Sequence, residues 1–527
     1  MAALSLALCS SILQNSLPEI LIAFVSLYYL LLCIRSVRSS PKGGVVLNLP
    51  IVGMLPSLLL NKHHLHDWVT QLLKNNGCTF MIKGPWFTHL NISATCNPAN
   101  VTHIFSTNFS SFPKGSQFAK NLDILGDGIF NSDSESWRIQ RKIAHNLISS
   151  KKFRTFTART SQAKVKDLMH VLGHMAKKGE GAVFAFDLLD VLQRFAFDNT
   201  CILVLGTDPA SLSVDFPTVP FSKAMDDAME AIAWRHGRKR NWLEAWKTID
   251  HFINQQVSTR TEELNHKSDT SHEGDEKDYE EERGDLLTSY MNNQLGADEL
   301  DMLRSDDEFL RDTAMNLMLA GRDTISAALT WFFWLIATNP NVETNILEEL
   351  RASFPELIDG CQERMKVFDA EKLSQSVYLH AALCESLRLF PPLPINIKNV
   401  LKPEVLPTGE IVQGRMTIAI LIYALGRMES VWGEDCLEFK PERWISESGR
   451  MKFEPSHKLL AFNAGPRICL GKEMAFMQMK AAAAALIYNF RFQVLEGHPV
   501  SPKLSVILHM DKGLMVQVTE RHHHLKL

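Results

Sequence analysis

Apolar residues recur along most of the chain at the three- and four-residue spacing of helices that bury one face. The pattern predicts a helix and then short strands over 68–91, and mostly helices from there to about residue 350. The longest strongly apolar helical stretch, 306–336, would extend about 45 Å at 1.5 Å per residue. Further helices are predicted at 375–389 and 473–488, with short strand-like runs after Asn396. We therefore expect a mainly α fold with a small β portion.

The N-terminal pattern differs, because residues 20–34, "ILIAFVSLYYLLLCI", are uncharged and almost wholly apolar. With the residues just before it, this run approaches the roughly 20 residues that a membrane span needs. A cleaved signal peptide is the alternative, but the basic residues follow the apolar run and no small-residue cleavage site is evident. The charge bias predicts a cytosolic body. We expect an uncleaved transmembrane anchor at 16–36, a proline-containing hinge at 37–60 and one large domain over 61–527.

Composition narrows the function classes. The chain has 527 residues, 46% of them hydrophobic, and its formal net charge of −4 does not indicate a nucleic-acid partner. Its nine cysteines form no C-x-x-C pair and predict no disulfide framework, which fits a reducing compartment. The polar, acidic segment 266–284 is predicted to be a solvated loop or frayed helix end; an acidic docking segment is the alternative.

One cysteine stands apart in "FNAGPRICLG" near the C-terminus. A metal-binding thiolate needs an electropositive setting, which the N–H groups of the helix after Cys469 would provide. Gly465 and Gly471 would let the backbone turn and approach a flat ligand, Arg467 could reach an anionic group on it, and Phe462 could cover the sulfur. A lone thiolate suits a haem iron better than zinc. A buried structural cysteine is the alternative.

The long apolar helix carries "AGRDT" in its middle. Gly321 and Thr324 share a face, and a mid-helix glycine costs roughly 1 kcal/mol relative to alanine, which suggests a need for room. Thr324 is predicted to donate a hydrogen bond to the carbonyl of Ala320, and Asp323 could relay protons. The alternative is an ordinary exposed Arg–Asp pair on a core helix.

Two further motifs place a pair of side chains on one helical face. "ESLR" pairs Glu385 with Arg388 at a spacing of three, and "WRIQR" pairs Trp137 with Arg141 at a spacing of four. In isolation the Glu385–Arg388 pair is a solvated surface pair worth a few tenths of a kcal/mol.

The four motifs, taken in their order along the chain, resemble those of cytochrome P450 monooxygenases. The cysteine loop matches every fixed position of that family's haem-binding pattern, F-x-x-G-x-R-x-C-x-G. The resemblance implies the cytochrome P450 fold, with a single large haem domain behind the N-terminal anchor, and makes Cys469 the axial haem ligand. Ala320 and Gly321 would then border the oxygen groove, and Asp323 with Thr324 would be the catalytic acid–alcohol pair.

The resemblance also assigns the charged motifs. Glu385 and Arg388 would be buried and joined by Arg443 of "FKPERW", and the three would fix the loop that carries the cysteine. Haem propionates would be bound by a second group of residues, which comprises Trp137, Arg141, Arg467 and Lys398.

The phrases "GDGIFN", "YALGRMESVWGEDCLEFKPERW" and "AFNAGPRICLGKEMAF" are similar to one plant clan of this family. That clan contains fatty-acid ω-hydroxylases and mid-chain alkane hydroxylases, and the chain is also similar to the phenol-coupling noroxomaritidine synthases. Two features depart from the family: "LPIVGMLP" lacks the tryptophan common in the hinge, and Arg322 occupies a position where the family varies.

The resemblance implies haem b (iron protoporphyrin IX) as the cofactor, with O2 and NADPH as co-substrates. Because no NADPH-binding glycine pattern is present, the electrons would come from a separate NADPH–cytochrome P450 reductase, with cytochrome b5 as an optional second donor. The body would face the cytosol from the endoplasmic reticulum membrane. A basic surface could attract the acidic reductase or be an ordinary solvated helix face. It comprises Arg138, Lys142, Lys151 and Lys152.

Substrate contacts are predicted from apolar segments, each with core packing as the alternative. They comprise Phe118, Phe130, Leu317, Leu393, Ile395, Ile507 and Leu508. A membrane-dipping entrance loop is predicted at 214–221. The sequence favours hydroxylation of a long-chain fatty acid or alkane. Oxidation or phenol coupling of an alkaloid, a non-catalytic haem sensor or carrier, and a reductase-independent isomerase or dehydratase are the alternatives.

Overall fold

The computed structural model describes residues 21–22, 24–28, 31, 46–49, 51–88, 91–179, 184–233, 239–270, 284–292, 306–355 and 365–521. Most of the predicted anchor at 16–36 and much of the acidic segment at 266–284 lie outside these residues. Within the described part, we find no helix both long and apolar enough to cross a bilayer.

The described chain is mainly helical. The α-helices, in chain order, are α1 (Leu55–Leu60), α2 (Leu65–Asn75), α3 (Pro98–Thr102), α4 (Ser116–Asn121), α5 (Ser134–Ile148), α6 (Lys151–Lys178), α7 (Leu188–Leu205), α8 (Pro220–Ala233), α9 (Lys239–Thr270), α10 (Leu286–Met291), α11 (Asp306–Thr338), α12 (Pro340–Ser353), α13 (Ala370–Leu373), α14 (Val377–Leu389), α15 (Ile422–Leu425), α16 (Glu429–Trp432) and α17 (Lys472–Asn489).

The strands form three small sheets at the periphery of the helices. They are β1 (Thr79–Lys83), β2 (Asn91–Thr95), β3 (Phe186–Asp187), β4 (Ile395–Asn399), β5 (Glu404–Val405), β6 (Ile411–Val412), β7 (Thr417–Leu421), β8 (Phe490–Val494) and β9 (Met515–Glu520). The largest sheet has the order β1-β2-β7-β4, in which only β2 and β7 run parallel. The other sheets are β3-β9-β8 and the β5-β6 hairpin.

The long helix α11 is the central element. It packs along α7 over much of its length and also contacts α14 and α17. The last part of this helix, from Thr330 onward, is almost wholly apolar, and Trp331, Phe332 and Phe333 are each at most 1% exposed. A helix apolar all round must lie inside the fold. The predicted helix 306–336 is confirmed as α11.

Helix α17 fills the space beside α11 with small side chains. Its run Ala481–Ala485 is buried, and the backbone there packs closely against α6. Alanine is the strongest helix former and needs little room, so this sequence suits a helix buried between others. The predicted helix 473–488 agrees with α17 to within one residue at each end.

The N-terminal boundary of the folded domain requires a correction. The sequence predicts a hinge over 37–60, but Leu55–Leu60 form α1. The amide of Met54 donates to the carbonyl of Lys83 at 2.8 Å, and the amide of Leu47 donates to Ser57 Oγ at 2.7 Å. These bonds attach the segment to the first sheet, so the folded domain begins before residue 61. Pro56 lies in the first turn of α1, where a proline is tolerated as well as in a loop, so the pattern alone could not place the start of the helix.

Candidate active site

The cysteine loop presents a sulfur atom at the N-terminus of α17. The amide of Cys469 donates to the carbonyl of Phe462 at 2.8 Å, which closes the loop on itself. Gly471 is the N-cap of α17, and its N–H donates to the Cys469 sulfur. Burial raises the pKa of this thiol, while that hydrogen bond and the nearby Arg141 and Lys472 oppose the increase. The residue is nevertheless exposed on its accessible surface, so a ligand can reach the sulfur.

The two loop glycines differ in what the backbone requires. Gly465 has a left-handed φ of +62°, and an added Cβ would overlap the carbonyl oxygen of Phe105. No other residue type fits there without displacing backbone. Gly471 lies in a turn and has a φ of −87°, which other residues also adopt, and an added Cβ would come no nearer than 3.7 Å to the Met474 side chain. The backbone therefore does not require glycine at this position, and its role beside a flat ligand stays a prediction.

Arg467 extends from the loop into a group of cations. Its Nη2 donates to Asp133 Oδ1 at 2.8 Å and to the carbonyl of Ser132 at 2.7 Å, and its guanidinium lies 4.5 Å from the Trp137 ring. Burial lowers its pKa to about 10, and Nε has no hydrogen-bond partner. The nearby Arg141 donates from Nη2 to the carbonyl of Ile468 at 2.7 Å.

Lys398, predicted at the same place, is 1% exposed and its Nζ has no partner. The ammonium lies 5.4 Å from the Phe105 ring and 5.2 Å from the Phe109 ring. Burial, and then the charges of Lys114 and Arg467, lower its pKa to about 6. A bound anion would stabilise the protonated form of this buried lysine.

Sequence reasoning missed Lys114, a fourth cation of this group. Its Nζ lies 3.2 Å from Asn396 Oδ1 and 4.1 Å from the Phe118 ring, and burial followed by Arg467 lowers its pKa to about 7. Asp133 raises the pKa of both lysines but already accepts bonds from Arg467 and from the backbone of Lys114 and Gly115. The pocket thus holds more positive than negative charge. Phe118, predicted to contact substrate, covers this lysine.

The middle of α11 shows the predicted threonine bond. Thr324 Oγ1 donates to the carbonyl of Ala320 at 2.6 Å. Asp323 is 2% exposed, and its Oδ1 lies 3.4 Å from Arg322 Nη1 but accepts no hydrogen bond. Arg322 is 1% exposed and donates from Nη2 to Asp226 at 2.7 Å. The alternative of an exposed Arg–Asp pair is therefore wrong, because both side chains are buried.

Gly321 is explained by helix packing. An added Cβ would lie 2.7 Å from both Cγ2 and Oγ1 of Thr200 on α7, so the glycine permits α7 and α11 to approach. Space for a ligand is not needed to account for this residue. Its assignment to the cofactor side remains a prediction.

A clamp that sequence reasoning missed joins α11 to the loop 122–133, which contains "GDGIFN". Asp312 Oδ2 accepts from the amide of Asp127 at 2.7 Å. Asn316 Oδ1 accepts from the amide of Phe130 at 3.1 Å, and its Nδ2 donates to the carbonyl of Leu125 at 2.8 Å. The spacing of four between Asp312 and Asn316 on an apolar helix was the available signal.

The clamp explains the two glycines of that loop. An added Cβ at Gly126 would overlap the Asp312 carboxylate, and one at Gly128 would overlap the Asn316 amide. The loop is thereby held against α11, and Phe130 remains 37% exposed.

Glu385, Arg388 and Arg443 come together in a buried cluster. Arg388 donates from Nε and Nη2 to the two Glu385 oxygens at 2.7 Å each, and Arg443 Nε lies 3.3 Å from Glu385 Oε1. Trp444 Nε1 also donates to Glu385 at 2.8 Å. Other N–H groups of the two arginines donate to main-chain carbonyls of the segment 426–438. The hydrogen bonds of the two arginines therefore hold this segment, and the role of the cluster in fixing the cysteine loop stays a prediction.

The predicted substrate residues differ in how much of each side chain is exposed. Phe130 and Leu393 are 37% and 39% exposed, and Leu317 and Ile395 are half-buried. Leu508 is completely buried and its carbonyl accepts from Trp331 Nε1 at 2.6 Å, while Ile507 is 5% exposed. For these last two, the packing alternative describes the structure, because neither offers appreciable surface to a ligand.

Comparison with known proteins identifies the family. The cytochrome P450 family model matches residues 41–518. The chain belongs to the cytochrome P450 family. It is 41% identical to noroxomaritidine synthase 1 of Narcissus pseudonarcissus, over 97% of this chain and 98% of that protein. It is 40% identical to alkane hydroxylase MAH1 of Arabidopsis thaliana, over 94% and 99%, and 40% identical to cytochrome P450 86B1 of the same plant, over 95% and 90%.

A solved structure shows the same fold. The crystal structure of the cytochrome P450DA heme domain superposes with a TM-score of 0.73 over 91% of this chain and 98% of that one, at 20% identity. The mainly helical cytochrome P450 fold with a small β portion is therefore confirmed. Membership makes the protein a haem-dependent oxidoreductase that uses molecular oxygen.

The residues present fit a haem. These residues include one soft anionic ligand, the Cys469 sulfur, which is accessible at the N-terminus of α17. They also offer excess cations for two propionates, since Lys398 Nζ and Arg467 Nε are buried without partners. Among the described residues, no His, Cys, Asp and Glu cluster could hold a metal ion by itself, so a pre-assembled iron–porphyrin suits this donor set better than a bare cation.

Proposed function

We propose that this cytochrome P450 inserts one oxygen atom of O2 into a long-chain fatty acid or alkane. The observation that carries the proposal is the Cys469 sulfur at the N-terminus of α17, beside a group of cations in which Lys398 Nζ and Arg467 Nε have no hydrogen-bond partner. Haem, when bound, supplies the oxygen activation that no amino-acid side chain provides. The chain supplies ligation, proton delivery and a dry, oriented pocket.

Cys469 is proposed as the axial iron ligand in its thiolate form. The Gly471 N–H and the charges of Arg141 and Lys472 favour that form and oppose the cost of burial. Phe462 packs against Phe476 of α17 with ring centroids 5.1 Å apart, which supports the loop on the sulfur side. Trp137, Arg141, Arg467 and Lys398 are proposed to bind the propionates, and we add Lys114 to that set.

Asp323 and Thr324 are proposed to move protons toward the oxygen-binding side. Thr324 Oγ1 is anchored on the Ala320 carbonyl, which orients its hydroxyl. The Asp323 carboxylate is buried with one oxygen free of hydrogen bonds, so it can rotate to exchange a proton with Thr324 or water. Arg322 Nη1 lies 3.4 Å from Asp323 Oδ1 and places a positive charge beside the buried carboxylate.

An apolar substrate is supported by the lining and by the alkane hydroxylase relative. Phe130 and Leu393 present exposed apolar surface, and an alkyl chain needs such surface without a polar partner. The intact Asp323–Thr324 pair favours oxygen insertion, because coupling of two phenols transfers no oxygen to the product.

The second candidate is oxidative coupling or hydroxylation of a phenolic alkaloid. The 41% identity to noroxomaritidine synthase 1, over nearly the whole chain, favours it. The pocket residues do not distinguish between these substrates, since aromatic rings and alkyl chains both pack against phenylalanine.

The partners are also proposed. Electrons would come from NADPH through a separate reductase, with cytochrome b5 as an optional donor. The chain would be anchored in the endoplasmic reticulum membrane by 16–36, with its catalytic domain in the cytosol.

The test is spectral titration of the haem-loaded protein with hexadecanoic acid, a long alkane and a phenolic alkaloid. We expect the fatty acid or alkane to displace iron-bound water and shift the haem band. NADPH consumption with added reductase should then rise with the same compound. A shift with the alkaloid alone would replace the first candidate by the second. No substrate-dependent NADPH consumption with any compound would favour a haem carrier or a reductase-independent enzyme.

A further inference from the structure

Two cysteines lie opposite each other where the β1–β2 hairpin opens. Thr79 begins β1 and pairs in register with Thr95, which ends β2. Cys78 and Cys96 are the next residues outward, and the amide of Cys96 donates to the carbonyl of Cys78 at 2.9 Å. The two thiols also lie within hydrogen-bonding distance of each other. One main-chain bond and one thiol–thiol contact therefore bring the two residues close together, and a disulfide needs Cα atoms roughly 4.4–6.8 Å apart. Both cysteines are free.

The two thiols differ in accessibility and acidity. Cys78 is half-buried, whereas Cys96 is completely buried. A hydrogen bond from Cys96 lowers the pKa of the Cys78 thiol to about 6, with a smaller contribution from Ser430, whose Oγ lies 4.0 Å away. The same contact, and then burial, raise the pKa of Cys96. At neutral pH Cys78 therefore carries the thiolate and Cys96 keeps its proton.

The backbone gives no reason for a cysteine at position 78. Cys78 has a φ of 69°, directly after Gly77 at 67°. Glycine and asparagine are the residues that this left-handed conformation favours, and others adopt it at a cost. An accessible thiolate beside a protonated thiol is the arrangement of a redox-sensitive cysteine with its resolving partner.

We propose that Cys78 and Cys96 form a peroxide-sensitive dithiol, a modification site separate from the cysteine loop. The Cys78 thiolate attacks one oxygen of hydrogen peroxide, the O–O bond breaks, and the departing hydroxide takes a proton and leaves as water. The Cys96 sulfur then attacks the resulting sulfenic acid, and its proton leaves with the hydroxyl group as a second water. Two electrons pass from the thiol pair to the peroxide, and a disulfide closes the base of the hairpin.

The experiment uses the haem-loaded full-length protein. Samples are treated with stoichiometric hydrogen peroxide, quenched with an alkylating reagent and mapped by peptide mass spectrometry. We expect one cross-linked peptide pair joining Cys78 and Cys96, which dithiothreitol separates. In Cys96→Ser the sulfenic acid on Cys78 should persist and react with dimedone. Cys384→Ser is the matched control, since burial raises the pKa of Cys384, and it should behave like the parent protein.

A measurement on the unmodified protein guards against misfolded variants. The alkylation rate of Cys78 as a function of pH should have its midpoint well below that of a cysteine in a short peptide, and Cys96→Ala, which removes the hydrogen-bond donor, should raise it. Equal midpoints for Cys78 and the peptide would overturn the proposal. So would peroxide treatment that oxidises Cys384 as readily as Cys78 and yields no cross-linked pair.

Discussion

The clamp between α11 and the loop 122–133 makes a quantitative prediction for Asn316→Ala. The substitution removes the acceptor for the Phe130 amide and the donor to the Leu125 carbonyl, which lie 3.1 and 2.8 Å from the Asn316 side chain. Leaving one buried backbone group unsatisfied costs about 1–3 kcal/mol. Because each 1.4 kcal/mol is a factor of ten, local opening of the loop should become about 5- to 150-fold more frequent.

The assay is amide hydrogen exchange, followed by mass spectrometry on peptides that cover 122–132. In Asn316→Ala these peptides should exchange faster by that factor, while peptides from α17 stay unchanged. The matched control is Asn254→Ala, whose exposed side chain bonds only to Asp250 on the same helix, and it should leave the loop unaffected.

A second substitution separates lost hydrogen bonds from altered packing. Gly128→Ala alone should also speed exchange, because its Cβ would overlap the Asn316 amide. In the double variant with Asn316→Ala, the Gly128→Ala change should speed exchange much less, since the amide that the new Cβ would overlap is gone. Strictly additive effects of the two changes, or unaltered exchange in Asn316→Ala, would refute the reasoning.

Three further outcomes follow from the site. Cys469→Ala should abolish the red-shifted carbon monoxide band of thiolate-ligated haem, and a retained band would contradict the ligand assignment. The pKa of Lys398 is about 6 in the haem-free fold and that of unfolded lysine about 10.4, so the unfolded chain binds more protons between these values and haem-free stability should rise with pH there. In Lys398→Met the melting temperature of the haem-free protein should depend less on pH between about pH 7 and pH 9. An unchanged dependence on pH would remove Lys398 from the cation group. Glu385→Gln should lower the melting temperature strongly, because loss of a buried ion partner costs about 3–5 kcal/mol, whereas Glu429→Gln in the exposed Lys74 pair should change little.

The sequence predicts the long elements of this fold well. α11 and α17 carry sustained apolar patterns, and the predicted bounds fall within one or two residues of those in the structure. The two-residue strands β3, β5 and β6 are too short to show any alternation, so no pattern could locate them.

The site is predictable where its residues are neighbours in sequence. Thr324 and Ala320 are one helical turn apart, and the bond between them follows from that spacing alone. Lys114 contacts Asn396, which is 282 positions away, and Asn316 contacts Phe130, which is 186 positions away. A single sequence does not encode such pairs locally. Lys114 and the clamp could not be found from the sequence for this reason. The same reason applies to Leu508, which was predicted to contact substrate but is completely buried by the fold.

The contact between Gly465 and Phe105 joins the thiol-bearing loop to the N-terminal region through main chain alone. No rotamer choice enters this junction, so its geometry is insensitive to side-chain motion at either residue. Position 105 can change its side chain without touching the junction, whereas a single methyl group at 465 would wedge the two segments apart. The placement of the sulfur is thereby fixed by the least adjustable atoms of the protein.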